Sequence, residues 1–84
     1  MRGLFYAPSV SDVSTPNAES VAAEVRAALA RRQITQTTLA EVTGRSQAYW
    51  SRRLSGRIPM SVDDLSVVAE IAAVPLASFL GRAA

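Results

Sequence analysis

The chain of 84 residues has no cysteine, no histidine and no lysine, and its aromatic side chains are two Phe, two Tyr and one Trp. Without cysteine and histidine there is no disulfide, no thiol chemistry, no zinc site built from the usual ligands and no histidine acid/base catalysis. With so few aromatic rings and 49% hydrophobic residues, the core must be aliphatic and alanine-based, a composition that favours helices. Long apolar runs are also missing, so no membrane span is expected. The N-terminus lacks the basic-then-apolar layout of a secretory signal, and a cytoplasmic protein is the expectation. The net charge of +2 is too small to argue for a polyanionic partner. All nine basic residues are arginine, whose planar fork suits phosphate and guanine edges, but a lysine-free set also fits a GC-rich coding bias, which is the simpler cause.

What the chain does have is clustering. Arg45, Arg52, Arg53 and Arg57, four of the nine arginines, fall within thirteen residues, and no acidic residue lies between Glu41 and Asp63. The length allows one domain with a modest core and one compact function. Residues 1–17 hold Pro8 and Pro16, several Ser and Thr, and no helical apolar period, so they read as an extended N-terminal arm. The arm carries the apolar tripeptide Leu4-Phe5-Tyr6, which fits either a frayed terminus or a segment that docks on the domain or a second subunit. Residues 18–84 form the domain proper.

A first helix is expected over Ala18–Arg32. Val21, Val25 and Leu29 recur every fourth residue with Ala22 and Ala28 beside them, Asn17 can cap the start, and acids precede arginines along the helix dipole. Ile34 is a lone apolar anchor, and Thr35 can cap a second helix over Gln36–Val42 with Leu39, Ala40 and Val42 facing inward. Gly44 supplies a positive-φ turn. Ser46 then caps a third helix over Gln47–Ser55 with Trp50 and Leu54 inward, and Gly56 ends it. Pro59 blocks continuation through the loop Arg57–Met60. Ser61 to Asp64 form a cap with acids in the first turn, and Leu65, Val68, Ala69 and Ala72 give the stripe of a fourth helix. Those acids serve the cap, since no partner base or metal ligand accompanies them for paired-carboxylate chemistry. Pro75 fits the first turn of a fifth helix, Leu76–Leu80, stopped by Gly81, whose apolar residues either close the core or support self-association.

The pattern Gln36-x-x-Leu39-Ala40-x-x-x-Gly44-x-Ser46-x-x-Tyr49-Trp50-Ser51-Arg52, followed by Gly56, Pro59 and Asp64-Leu65-x-x-Val68-Ala69, resembles the lambda-repressor and Cro type of helix-turn-helix DNA-binding domain, the Xre group. The resemblance covers about residues 18–80. It implies an all-α, five-helix lambda-repressor-like bundle. Its third helix would enter the major groove of double-stranded DNA while the second crosses the backbone. Two positions depart from the pattern. Arg45 stands where an aliphatic residue is usual, and Arg53 where Leu or Ile often packs against the first helix; their stems can lie along apolar surface with the guanidinium groups in water or on phosphate.

On this resemblance the base-reading residues are Ser46, Gln47, Ala48, Ser51 and Arg52. Gln47 can donate and accept at once, matching adenine N6 and N7; Ala48 suits a thymine methyl; Ser46 and Ser51 can bond base or phosphate; Arg52 can take guanine or phosphate. The phosphate-binding set is Gln36, Arg45, Tyr49, Arg53 and Arg57. Gln36 begins a helix and also braces Gln47 by analogy, and Tyr49 either offers its hydroxyl to phosphate or packs beside Trp50. Neutralising about four to six phosphates per subunit would make affinity fall steeply with salt. A domain this small covers few base pairs, so a homodimer on a palindromic operator is expected, with half-sites about one helical turn apart.

Transcriptional regulation follows as the expected function, as a small phage or prophage repressor or the DNA-binding portion of a longer regulator. The alternative is an antitoxin that autoregulates its operon and binds a toxin through the Leu4-Phe5-Tyr6 arm. The arm could also pair as a strand across a dimer or send Arg2 into a minor groove. No cofactor, metal or small-molecule ligand is expected, and an enzyme is disfavoured because no nucleophile-base pair or phosphate-cradling loop is present.

Overall fold

A computed structural model describes residues 17–80. The expected arm, with Arg2, Leu4, Phe5 and Tyr6, and the expected stop at Gly81 lie outside the described residues. Four α-helices follow in order: α1 (Ala18–Arg31), α2 (Gln36–Thr43), α3 (Gln47–Leu54) and α4 (Val62–Ala72). Among the described residues there is no strand. The segment expected as a fifth α-helix, Leu76–Leu80, is instead a 3-10 helix. Five residues cannot repay α-helix nucleation, and the i to i+3 bond from the Ser78 N–H to the Pro75 carbonyl, 3.0 Å, tightens the turn.

Each α-helix starts on a side-chain cap that satisfies N–H groups left without intrahelical partners. Asn17 and Ser20 exchange reciprocal bonds at the start of α1, Thr35 Oγ1 accepts from the Thr38 N–H at α2, and Ser46 Oγ accepts from the Tyr49 N–H at α3. Ser61 and Asp64 repeat the reciprocal arrangement at α4.

Val25, Leu29, Leu39, Trp50, Leu54, Leu65, Val68 and Phe79 form the centre of the core, with Ala28, Ala40, Ala69 and Ala72 letting the helices approach closely. Helix α1 packs against α3, α4 and the 3-10 helix. Phe79 is buried, so the C-terminal segment closes the core, while Leu80 is partly exposed. Ile34 packs on this cluster as expected. Val42 does not: it is 63% exposed. At roughly 100° per residue, Leu39, Ala40 and Thr43 share one face of α2 and Val42 falls well outside it.

Candidate nucleic-acid interface

The junction of α2 and α3 is set by two backbone choices. Gly44 caps α2 at φ 76°, in the left-handed region, and its N–H closes on the Ala40 carbonyl at 2.9 Å. A Cβ there would meet nothing within 4 Å, so glycine is required for conformation and not for space. Ser46 then sits extended (φ −70°, ψ 160°) and starts α3. Three side chains lock the pair of helices. The fully buried Trp50 donates its indole N–H to Thr43 Oγ1 at 2.9 Å, Thr43 donates in turn to the Leu39 carbonyl at 2.8 Å, and the Gln36 amide donates to the Gln47 carbonyl at 3.2 Å. The expected bracing of Gln47 by Gln36 is therefore present, made to the main chain.

Helix α3 divides into three sides. Trp50 and Leu54 enter the core. Gln47, Ala48, Ser51, Arg52 and Ser55 are exposed and fall on one arc of roughly 140° at the helical repeat. No acidic residue lies on this arc. Tyr49 and Arg53, one turn apart, occupy the remaining side and point to the start of α4.

There they meet Asp64, a carboxylate only 1% exposed. Arg45 Nη1 and the Tyr49 hydroxyl donate to its Oδ1, and Arg53 Nε (3.2 Å) and the Ser61 N–H (3.0 Å) donate to its Oδ2. The cluster is stacked as well as bonded: Arg53 lies 3.7 Å from the Tyr49 ring centroid, Arg45 lies 4.9 Å from it, and Tyr49 meets Trp50 edge to face at 5.2 Å. Burial pushes the Asp64 carboxyl up, but the hydrogen bonds from Tyr49 and Ser61 and the Arg45 charge outweigh it, and the net shift is downward. The Tyr49 hydroxyl is held above its ordinary value by its bond to Asp64, by burial and by that carboxylate's charge, against the opposing pull of Arg53 and Arg45.

The C-terminal end of α3 is held from α1. Arg26 Nη1 donates to the Leu54 carbonyl, and Glu19 stands beside Arg26 at 4.0 Å. Gly56 turns the chain at φ 84°, and a Cβ there would lie 2.5 Å from Glu19 Oε1 and 3.3 Å from Glu19 Cα. The N–H groups of Arg57 and Ile58 both close on the Arg52 carbonyl, which leaves the exposed Arg57 just beyond the helix end.

Of the residues expected to read bases, Gln47, Ala48, Ser51 and Arg52 lie on the outer arc of α3, and Ser46, also exposed, caps its start. The residues expected to hold phosphate separate. Arg57 is exposed and Gln36 partly so, whereas Arg45, Tyr49 and Arg53 are all bonded to Asp64. The reason is charge pairing: a guanidinium displacing an aliphatic residue near a core needs a counter-charge. Asp64 does serve the α4 cap as expected, and in addition it supplies that charge. Sequence reasoning missed this second use, and also Thr43 and Arg26. The signal for Asp64 was available in the two arginines at apolar positions, which demand a nearby acid without saying which one.

Among the described residues no group of three or more Asp or Glu could hold a metal ion, and no helix is long and apolar enough to cross a membrane. No curated protein and no solved structure matches the chain. A family model described as a helix-turn-helix domain matches residues 20–78, which contain α2, the Gly44 turn, α3, α4 and most of α1. Spanning most of the chain, that match shows that the protein belongs to the helix-turn-helix domain family, of the Cro/Xre type.

Proposed function

We propose that this protein is a sequence-specific double-stranded DNA-binding transcriptional regulator, a small phage-type repressor of the Cro kind that reads the major groove with α3. Its family membership supports DNA-binding regulation as the class of function. The observation that carries the finer reading is the outer arc of α3, where Gln47, Ala48, Ser51 and Arg52 stand exposed together with no acid among them. An amide, a methyl, a hydroxyl and a guanidinium are complementary to base edges in the major groove. Ser46 adds a hydroxyl at the helix start, and Gln36 and Arg57 border the arc as phosphate contacts. A site of a few base pairs is too short for useful selectivity. The reading therefore includes two copies on a palindrome with half-sites about one helical turn apart. The proposed activity is binding and not catalysis.

Selection of bound sequences from random duplex DNA tests this reading. A palindromic consensus is expected. The double variant Gln47→Ala/Arg52→Ala should weaken binding to that consensus by at least about tenfold, because each bidentate base contact contributes roughly 1–3 kcal/mol of discrimination. Unchanged affinity in the double variant would show that α3 does not read the sequence through this face.

A further inference from the structure

The basic cluster of the sequence holds four arginines, and the fold sorts them into two chemistries. Arg52 and Arg57 are exposed. Arg45 and Arg53 are joined to one buried carboxylate, their side chains 37% and 19% exposed. We propose that Asp64 is a positioning residue for DNA recognition: by gathering Arg45, Tyr49 and Arg53 it fixes the roll of α3 and leaves Arg52 and Arg57 as the cations of the reading face. The proposal rests on the reading of α3 given above and adds to it a residue that never touches DNA.

The geometry supports the assignment in three ways. First, the anchored side chains come from both ends of the element that must be held. Arg45 lies in the turn before α3, Tyr49 in its first turn and Arg53 in its last, so one carboxylate grips the helix along its length. Second, the two carboxylate oxygens are divided between partners, Arg45 and Tyr49 on Oδ1, Arg53 and Ser61 on Oδ2, so rotation of α3 about its axis breaks bonds at both oxygens. Third, Asp64 is fixed to α4 by its reciprocal cap with Ser61, so the reference frame is the core and not a mobile side chain. At the 3.6-residue repeat, a roll of α3 by one residue's angle would carry Gln47 or Arg52 off the outer arc. Recognition needs side chains held within about half an ångström of productive geometry.

The charge arithmetic makes this testable. Replacing Asp64 with Asn raises the net charge from +2 to +3. Simple electrostatics therefore predicts tighter binding to any duplex. Positioning predicts the opposite for the selected sequence.

The experiment measures affinity for the selected duplex and for a scrambled duplex, across a salt series, with the wild type, Arg52→Ala, Asp64→Asn, Tyr49→Phe and Arg53→Gln. The single tryptophan, Trp50, is buried beside this cluster, and its emission identifies the temperatures at which each variant is fully folded. In folded Asp64→Asn the ratio of selected to scrambled affinity should fall at least about tenfold while scrambled binding holds or tightens. Tyr49→Phe should lower that ratio about threefold, a partial effect because it removes one of the four donors to the Asp64 carboxylate and leaves the other three in place. Arg53→Gln should lower it without changing the salt slope, whereas a phosphate-binding arginine would reduce the slope by about one. If Asp64→Asn does not fold at any temperature, Tyr49→Phe and Arg53→Gln decide the matter. A wild type without sequence selectivity, or an Arg52→Ala variant equal to it, would overturn the reading of α3 and the proposal with it. A selective wild type, a less selective Arg52→Ala and folded Asp64, Tyr49 and Arg53 variants with undiminished selectivity would overturn the positioning role alone.

Discussion

Replacing Asp64 with Asn should lower the stability of the domain by about 2–3 kcal/mol at neutral pH. Removing one member of a buried ion pair typically costs roughly 3–5 kcal/mol, because the partner charge is left desolvated and unpaired. Two features reduce that figure here. Arg45 retains 37% exposure and Arg53 19%, so water can solvate part of each guanidinium, and an Asn oxygen can still accept from Tyr49 or Ser61. For a domain of this size a loss of about 1 kcal/mol lowers Tm by roughly 4–8 °C, so a fall of about 10–20 °C is expected. Thermal melts followed by Trp50 emission and by helical circular dichroism supply the measurement. The pH dependence supplies a second, independent check. The Asp64 carboxyl titrates lower in the folded chain than in the unfolded one. Its contribution is therefore complete above the unfolded value of about 3.9 and is lost as pH falls through the folded value. Wild type and Asp64→Asn should differ fully at pH 5–7 and converge below about pH 4. A Tm difference under about 3 °C at neutral pH, or one that persists undiminished in strong acid, would refute the account of Asp64 as a charged hub.

Other substitutions probe the remaining elements. Gly44→Ala should cost about 1–2 kcal/mol from the left-handed backbone alone, and Gly56→Ala more than that because its methyl group also meets Glu19; equal losses by denaturant titration would refute the close approach of α1. Ala73, the cap of α4, has φ 59° without being glycine, so Ala73→Gly should stabilise by roughly 0.5–1 kcal/mol in the same titration. Val42→Gln should change stability by less than about 0.5 kcal/mol, whereas Leu39→Ala on the same helix should cost about 2–5 kcal/mol, and a reversed order in paired melts would contradict the observed face of α2. Trp50→Phe should cost about 2–4 kcal/mol by leaving a void and by taking the indole donor from the Thr43 oxygen, and a Trp50→Phe/Thr43→Val double variant should recover part of it.

The agreement between sequence and structure follows the range of the forces involved. Caps at Asn17, Thr35, Ser46 and Ser61, and the turn at Gly44, are local: each depends on backbone groups within three or four residues, and each was readable along the chain. The apolar spacing of Val25 with Leu29 and of Trp50 with Leu54 fixed which sides of α1 and α3 turn inward, because periodicity is also a local quantity. Val42 marks where hydrophobicity alone misleads: it is apolar, yet its angle around the axis of α2 places it outside the core. Leu76–Leu80 has the apolar content of an α-helix but is too short to nucleate one, and it forms a 3-10 helix.

Four α-helices, their caps, the helix-turn-helix spacing and the polar, acid-free outer arc of α3 all follow from the local order of residues. What the clustered arginines do depends on how the helices pack. Charge along a chain records no direction, and Asp64 is 19 residues from Arg45, 15 from Tyr49 and 11 from Arg53 until folding brings the start of α4 to α3. Hydrogen bonding and Coulomb attraction then act over a few ångströms on a carboxylate 1% exposed, whose four donors stand in for the water it has lost. Of four arginines that look alike in sequence, two became part of the scaffold and two were left facing outward.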